Sequence, residues 1–136
     1  LCMRFYVGSS FSNIEEVRFM RNELIALGHT HTYDWTQNER ATSIDALRSI
    51  GEEEVSGIQS ADFVVILLPG GKGAHVELGI AIGTNKHVFL YDLGDQMMNM
   101  EETSTFYHVN AVQRLEGPFN ALPYQIQDRL KLSNHV

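Results

Sequence analysis

Two glutamates, Glu77 and Glu54, are the residues whose positions best suit chemistry. Glu77 follows the glycine-rich segment 69–73 by about one helical turn. A carboxylate on a small, apolar face is unfavourable unless it is paired or used, and a helix N-terminus favours its ionised form. Such a carboxylate suits nucleophilic attack on a sugar carbon, although a local cap or ion pair explains the position equally well. Helical spacing predicts that Glu77 shares its face with Gly73, Ala74, Ile80 and Ala81.

Glu54 is the second candidate, because it shares the inward side of a predicted helix with Leu47 and Ile58. Its neighbours Glu52 and Glu53 point elsewhere and are expected to be solvated. On the inward side, Glu54 suits an acid/base group or a clamp on sugar hydroxyls. The pattern alone favours the simpler interpretation, which is the end of a surface charge run.

Two glycine-rich turns each follow a predicted strand and lead into a predicted helix. Backbone amides in such turns can hold an anion, but glycine is also frequent there for steric reasons alone. Neither turn has the spacing of a Walker loop or of the GxGxxG fingerprint. We predict substrate contacts from Gly8, Ser9 and Ser10 in the first turn and from Gly71, Lys72 and Gly73 in the second.

Four further side chains lie near the same predicted edge of the sheet. Tyr6 can orient a carboxylate, and Trp35 can stack on a base. Asp34 can bind a hydroxyl, and His75 lies close enough to contact substrate. Core packing of Tyr6 and Trp35 and a turn role for Asp34 are the alternative interpretations.

Composition limits the classes of function. The 136 residues carry a net charge of −7 and have no cluster of Lys and Arg, which argues against a nucleic-acid polymer as partner. One cysteine and apolar runs too short to span a bilayer predict a cytoplasmic protein without membrane contact. The histidines have no metal-pair spacing along a helix, so we expect no metal.

Alternating strand and helix patterns predict a single α/β domain over residues 1–136, with a five-stranded parallel sheet between two helical layers. Ligands of such sheets lie beyond the carboxyl ends of the strands. The predicted strands are 3–7, 30–35, 63–68, 87–91 and a short one within 109–115. The predicted helices start at a capping box at 12–15, at Ser43, at Ala74 and near Phe119. An inward stripe of Ile44, Leu47, Val55 and Ile58 is predicted for the second helix.

Three segments, in this order, resemble the nucleoside 2-deoxyribosyltransferase family, which includes nucleotide N-glycosidases. They are FYVGSS at 5–10, the helix end at 54–58 running into ADFVV at 61–65, and GAHVELGIA at 73–81. The resemblance covers about residues 3–92. It implies a flavodoxin-like fold without a metal or redox cofactor, and a homodimer or higher homo-oligomer, often with a neighbouring subunit completing the site.

The resemblance also implies roles for individual residues. Glu77 matches the nucleophile, and Tyr6 matches a tyrosine that orients it. Glu54 stands where the transferases have an aspartate that assists proton transfer at the base. An acidic residue shortly before the nucleophile is missing, and Gly70, Gly71 and Lys72 are found there instead.

The implied reaction is cleavage or transfer at the N-glycosidic bond of a nucleoside or nucleoside 5′-monophosphate. It proceeds through a covalent glycosyl-Glu77 ester with net retention. Lys72 and the serines of the first turn favour a 5′-monophosphate, and hydrolysis is slightly favoured over transfer. The alternatives are a non-catalytic nucleotide-binding or sensing module on the same fold, and a regulator with a phosphoacceptor at Asp34, Asp62 or Asp92.

Overall fold

A computed structural model describes residues 1–133 and shows a parallel five-stranded sheet between two layers of helices. The strand order is β2-β1-β3-β4-β5, which confirms the predicted three-layer α/β fold. The strands are β1 (Arg4–Ser9), β2 (Thr30–His31), β3 (Phe63–Leu68), β4 (His87–Asp92) and β5 (Val112–Arg114). The helices are α1 (Ile14–Ala26), α2 (Ile44–Gln59), α3 (Lys72–Gly83) and α4 (Leu122–Ser133).

The sheet has a hydrophobic core on each face. Every residue of β3 is buried, as expected for a continuous apolar run covered on both sides. The side chains of α1 and α4 form the core on one face, and those of α2 and α3 form the core on the other. The first core contains Val17, Met20, Leu24, Ile126 and Leu130, and the second contains Ile58, Leu78 and Ala81.

The start of α2 matches its prediction. The Ser43 hydroxyl accepts from the amide of Ala46 at 3.1 Å and caps the helix, which ends at Gln59 as expected. Within residues 1–133, no helix is both long enough and apolar enough to cross a bilayer.

The capping box predicted at residues 12–15 is wrong. The hydroxyl of Ser10 accepts from the amide of Ser12 at the start of a 3₁₀ turn, Phe11–Asn13, and α1 begins only at Ile14. The cause is that β1 extends to Ser9, so the chain reverses through the 3₁₀ turn before the helix starts.

The second strand is shorter than predicted. It pairs with β1 at only two positions, because Asp34 draws the following residues into a 3₁₀ turn, Trp35–Gln37. The Asp34 carboxylate accepts from the amide and from the hydroxyl of Thr36, at 3.0 and 2.5 Å. Such local side-chain bonds compete with strand pairing.

The inward apolar stripe predicted for α2 is confirmed only at Ile58 and is wrong at the other three positions, since Val55 is also 36% exposed. Ile44 is 70% exposed and Leu47 is 57% exposed, whereas Ile58 is fully buried. Only the last turns of α2 pack on the sheet, since its buried residues are Gly57 and Ile58. The first turns stand clear of the sheet.

Candidate active site

The candidate site is a crevice at the carboxyl ends of β1 and β3, beside the loops that follow these strands, and Glu77 lines it. These neighbouring strands lead to helices on opposite faces of the sheet, and α/β proteins bind ligands at such a point. Asn13 ties the two loops together. Its side-chain amide donates to the Ser9 hydroxyl at 3.0 Å and to the Pro69 carbonyl at 2.9 Å. Ser9 in turn donates to the Leu67 carbonyl at 2.8 Å, so the end of β1 is also bonded to β3.

Glu77 lies in this crevice with only 7% of its surface exposed. Tyr6, fully buried on β1, donates its hydroxyl to Glu77 Oε2. Gly8, two residues along the same strand, makes room for the other oxygen, since a Cβ there would stand 2.8 Å from Glu77 Oε1. The strand therefore holds one carboxylate oxygen and makes space for the second.

Glu54 lies beside Glu77, within hydrogen-bonding reach of its carboxylate. The approach depends on Gly57, one turn further along α2. A Cβ at Gly57 would stand 2.9 Å from Tyr33 Cβ and 3.3 Å from Tyr6 Cδ2. The bare glycine thus lets α2 pack closely on β1, which brings the two carboxylates together.

The electrostatics of the pair follow from this burial. Desolvation raises the pKa of Glu77 to about 8; the hydrogen bond from Tyr6 opposes this rise and the charge of Glu54 adds to it. The sequence predicted a helix N-terminus favouring ionisation, but burial has the larger effect. Burial, and then the charge of Glu77, raise the pKa of Tyr6 far above its ordinary value, so Tyr6 keeps its proton and donates. At neutral pH this burial favours the protonated form of Glu77.

Two cavities meet at Glu54. The larger, of about 410 Å³ and here called the aromatic cavity, is lined by Phe11, Trp35, Arg40, Leu47, Ile50 and Glu54 among others. The smaller, of about 230 Å³ and here called the interhelical cavity, lies between α2 and α3 and is lined by Gly51, Glu54, Val76 and Glu77 among others. A flat ring in the first would lie next to Glu54, and Glu77 lines the second.

The structure places Trp35 and Asp34 differently, although they are adjacent in the sequence. Trp35 is held by its indole N–H, which donates to the Val7 carbonyl at 2.7 Å. Its ring is tilted by 46° against that of Phe11, with the ring centroids 6.3 Å apart. The Asp34 carboxylate is committed to the fold: besides capping its turn, it pairs with Arg21 at 2.6 Å. Trp35 therefore lines the aromatic cavity, and Asp34 supports the turn that presents it.

The second glycine-rich turn stands at the mouth of the crevice. The helix α3 begins at Lys72, two residues before its predicted start, with Gly71 at the N-cap. Gly71 has no side chain to accept from the first amides of α3, and Lys72 and Gly73 are exposed. His75 bonds to protein through both ring nitrogens, with Nδ1 2.8 Å from the Gly71 carbonyl and Nε2 2.6 Å from the Tyr107 hydroxyl.

Three residues of this architecture were not singled out from the sequence. Asn13 and Gly57 carry only local signals, a polar residue after a turn and a glycine one turn after a glutamate. Tyr107 carries no such signal, because it lies in the C-terminal third and its partner His75 is 32 positions away in the sequence. No group of three His, Cys, Asp or Glu side chains within residues 1–133 is placed to share a metal ion, and His135 lies outside that range.

Comparisons with known proteins agree with this architecture. The family model described as nucleoside 2-deoxyribosyltransferase matches residues 6–118. The CMP N-glycosidase of Clostridium botulinum superposes with a TM-score of 0.64 at 12% identity, covering 91% of this chain and 98% of that one. The 2-deoxyribosyltransferase of Bacillus psychrosaccharolyticus gives 0.64 at 17% identity, covering 88% and 90%. A conserved protein of Enterococcus faecalis gives 0.66 at 13% identity, covering 95% and 99%. A comparison with curated proteins gives no match.

Proposed function

This chain belongs to the nucleoside 2-deoxyribosyltransferase family, and on that premise we propose that it cleaves or transfers at the N-glycosidic bond of a nucleoside or nucleoside 5′-monophosphate. The proposed nucleophile is Glu77, which forms a covalent ester with C1′ of the sugar. One observation carries the proposal: the buried Glu77 carboxylate accepts from Tyr6 beside a second carboxyl group, Glu54, in the crevice of the sheet.

In the first step, Glu77 attacks C1′ while the bond from C1′ to the base nitrogen breaks. The hydrogen bond from Tyr6 opposes the effect of burial and favours the ionised form of Glu77, which is the form that attacks. Glu54 is the proposed acid, which donates a proton to the departing base. The products of this step are a glycosyl-Glu77 ester, a neutral base and an ionised Glu54.

In the second step, a water molecule or a second base attacks C1′ from the face that the first base left. The ester bond breaks, Glu77 leaves as a carboxylate, and Glu54 takes the proton of the incoming nucleophile. Two inversions give net retention. Water yields hydrolysis and a second base yields transfer, so the two outcomes differ only in the acceptor.

The cavities suggest how the substrate lies. The base fits the aromatic cavity, between Trp35 and Leu47 and next to Glu54. With C1′ at Glu77, the 5′ end of the sugar is proposed to extend toward Gly71 and Lys72. The first amides of α3 and the Lys72 ammonium group there suit a 5′-phosphate. Gly73, Ser9 and Ser10 complete the predicted substrate contacts on both sides of the crevice.

Chromatographic detection of free base tests the proposal directly. Wild type, Glu77→Gln and Glu77→Ala are incubated with deoxynucleosides, ribonucleosides and their 5′-monophosphates, with and without a second base. We expect wild type to release base and both variants to lose the activity by on the order of 10⁴-fold or more. Intact-mass measurement after quenching should show a glycosyl adduct on wild type only. Cleavage by the variants at the wild-type rate would overturn the role of Glu77.

A non-catalytic nucleotide-binding or sensing module is the second candidate. It is favoured by the raised pKa of Glu77, because a protonated carboxyl group cannot attack C1′. The same assay separates the two candidates. Tight binding of a 5′-monophosphate without release of base, over the range from pH 6 to pH 9, would establish the module.

We also propose that two copies associate through the outer face of α2 and α3. Ile44, Val55 and Val76 are exposed there, and Val76 is 62% exposed. Gly51 and Gly79 leave open space on the same helices, which allows a neighbouring helix to approach. Light scattering should give twice the mass of one chain for wild type and the mass of a single chain for Val76→Glu. A monomeric wild type at micromolar concentration would contradict this assembly.

A further inference from the structure

The pair formed by His75 and Tyr107 lies outside the carboxylate machinery, yet it reaches the mouth of the crevice. The Gly71 carbonyl accepts twice from the same residue, from the backbone amide of His75 at 3.3 Å and from its ring nitrogen Nδ1 at 2.8 Å. The side chain thus supplies the shorter of the two bonds. A helix start that lacks a capping side chain is held instead by an imidazole one turn inside it.

The bonding partners fix the tautomer of the ring. A carbonyl oxygen only accepts, so Nδ1 of His75 carries a hydrogen. In the neutral ring, Nε2 then accepts from the Tyr107 hydroxyl at 2.6 Å. Burial, and then the charge of Asp92, raise the pKa of Tyr107, so its hydroxyl keeps the proton that it donates.

Tyr107 is itself anchored to the edge strand of the sheet, β5. It is 6% exposed and ends a short 3₁₀ turn, Thr105–Tyr107. The Arg114 side chain, at the end of β5, donates to the Tyr107 carbonyl at 3.0 Å. A chain of contacts therefore runs from β5 through Tyr107 and His75 to the glycine-rich turn.

The orientation of one peptide group depends on this chain. In a planar trans peptide, the carbonyl of Gly71 and the N–H of Lys72 point in opposite directions. Because His75 holds the carbonyl along the helix, the Lys72 N–H points the other way, out of the start of α3. Gly71 has no side chain that restricts its own backbone, so the two bonds from His75 determine the orientation of this peptide.

We infer that His75 and Tyr107 are positioning residues for the 5′ end of the substrate. Tyr107 orients the His75 ring, and the ring holds the Gly71–Lys72 peptide with its N–H facing the 5′-phosphate. This inference rests on the proposed function and assigns the 5′-monophosphate as the preferred substrate class. It also gives the C-terminal part of the chain a task at the site.

Kinetics on matched substrates test the inference. Wild type, Tyr107→Phe, His75→Ala and His75→Asn are compared on the best-cleaved 5′-monophosphate and on the nucleoside with the same base. Tyr107→Phe should raise KM for the monophosphate by about 3- to 10-fold, which is the effect of one hydrogen bond. It should leave kcat, and KM for the nucleoside, unaffected. His75→Ala should show the larger loss, and His75→Asn should recover part of it, because its amide can still donate to Gly71.

The control is Tyr91→Phe, which removes a hydroxyl that donates to the Gly117 carbonyl at 2.7 Å. This bond is not part of the chain of contacts from β5 through Tyr107 and His75. This variant should leave KM for both substrates unchanged. Equal losses for monophosphate and nucleoside, or the same loss in Tyr91→Phe as in Tyr107→Phe, would overturn the inference and leave the proposed function standing. A wild type that prefers the nucleoside would overturn it as well.

A binding measurement separates this inference from the proposed function. In the Glu77→Gln background, equilibrium dialysis with the 5′-monophosphates of the common bases reports affinity without turnover. We expect Tyr107→Phe to weaken that affinity by the same factor as it raises KM. If wild type cleaves no substrate, the proposed function fails, and dialysis alone decides the inference: unchanged affinity, or no binding in either protein, overturns it.

Discussion

The two halves of α2 serve the site in different ways. The last turns are closely packed, with Gly57 against Tyr6 and Ile58 in the core, and they fix Glu54 beside Glu77. The first turns expose Ile44 and Leu47 and form one wall of the aromatic cavity. On the proposed function, reactivity would depend on the buried contacts and base selectivity on the exposed surface. Substitutions at the packed end should alter rate, and substitutions at the exposed end should alter substrate preference.

The largest effect is expected for Glu54→Gln, at the packed end. The amide retains the shape but cannot give a proton to the departing base, so kcat should fall by about 10²- to 10⁴-fold. Glu53→Gln, one residue earlier and exposed, is the matched control and should keep full activity. Steady-state kinetics on one nucleotide measure both. For nucleosides whose bases leave without protonation, kcat should fall much less. An equal fall in kcat for all substrates would contradict the acid role of Glu54.

Gly8→Ala should reduce kcat by about 10- to 100-fold. The new methyl group would meet Glu77 Oε1 at 2.8 Å and Ile66 Cδ1 at the same distance, so the carboxylate must move. Crowding of this kind also destabilises a fold, typically by about 1–3 kcal/mol. Gly83→Ala, whose Cβ would meet nothing within 4 Å, controls for a general effect of removing glycine. A fully active Gly8→Ala would argue against the observed position of Glu77.

Tyr6→Phe should lower kcat by about 10-fold at pH 7 and shift the pH profile, since a hydrogen bond to a charged group is lost. The hydrogen bond from Tyr6 lowers the pKa of Glu77, so removing it raises that pKa further. Because Glu77 attacks only when ionised, the rise of kcat with pH should move to higher pH in the variant. Rate profiles from pH 5 to pH 10 measure the shift, and an unchanged profile would contradict the orienting role of Tyr6.

Leu47→Ala should have the smallest effect. Leu47 is exposed, so the free energy of unfolding should change by less than about 0.5 kcal/mol. KM values should change by about 3-fold, and by different factors for purine and pyrimidine substrates, because the wall of the aromatic cavity recedes. Competition between two substrates in one reaction gives this ratio accurately. Equal changes for both bases would remove the distinction between the two halves of α2.

Most of the fold could be predicted from the sequence because its signals are local. The apolar run of β3 and the Ser43 cap of α2 were identified at their observed positions. Glu77 was singled out because Ala74 and Ala81 share its face, and all three are buried. These signals need no knowledge of distant partners.

The remaining features depend on contacts between distant parts of the chain. Periodicity assigned Leu47 to the interior, but the first turns of α2 extend beyond the sheet that would cover them. Glu54 remained ambiguous because its position depends on the close approach of Gly57 to Tyr6. The proposed role of His75 depends on its bond to Tyr107, which no pattern near residue 75 indicates.

The burial of Glu77 also has a consequence for the thermal stability of the protein. Its pKa is about 8 in the folded chain and near 4.5 in an unfolded one, so the native state retains a proton that the denatured state releases. This group therefore contributes most to stability below pH 4.5, and that contribution declines as the pH rises toward 8. Glu77→Gln removes this titration. The wild-type melting temperature should therefore fall, relative to that of Glu77→Gln, as the pH rises from 4.5 to 8.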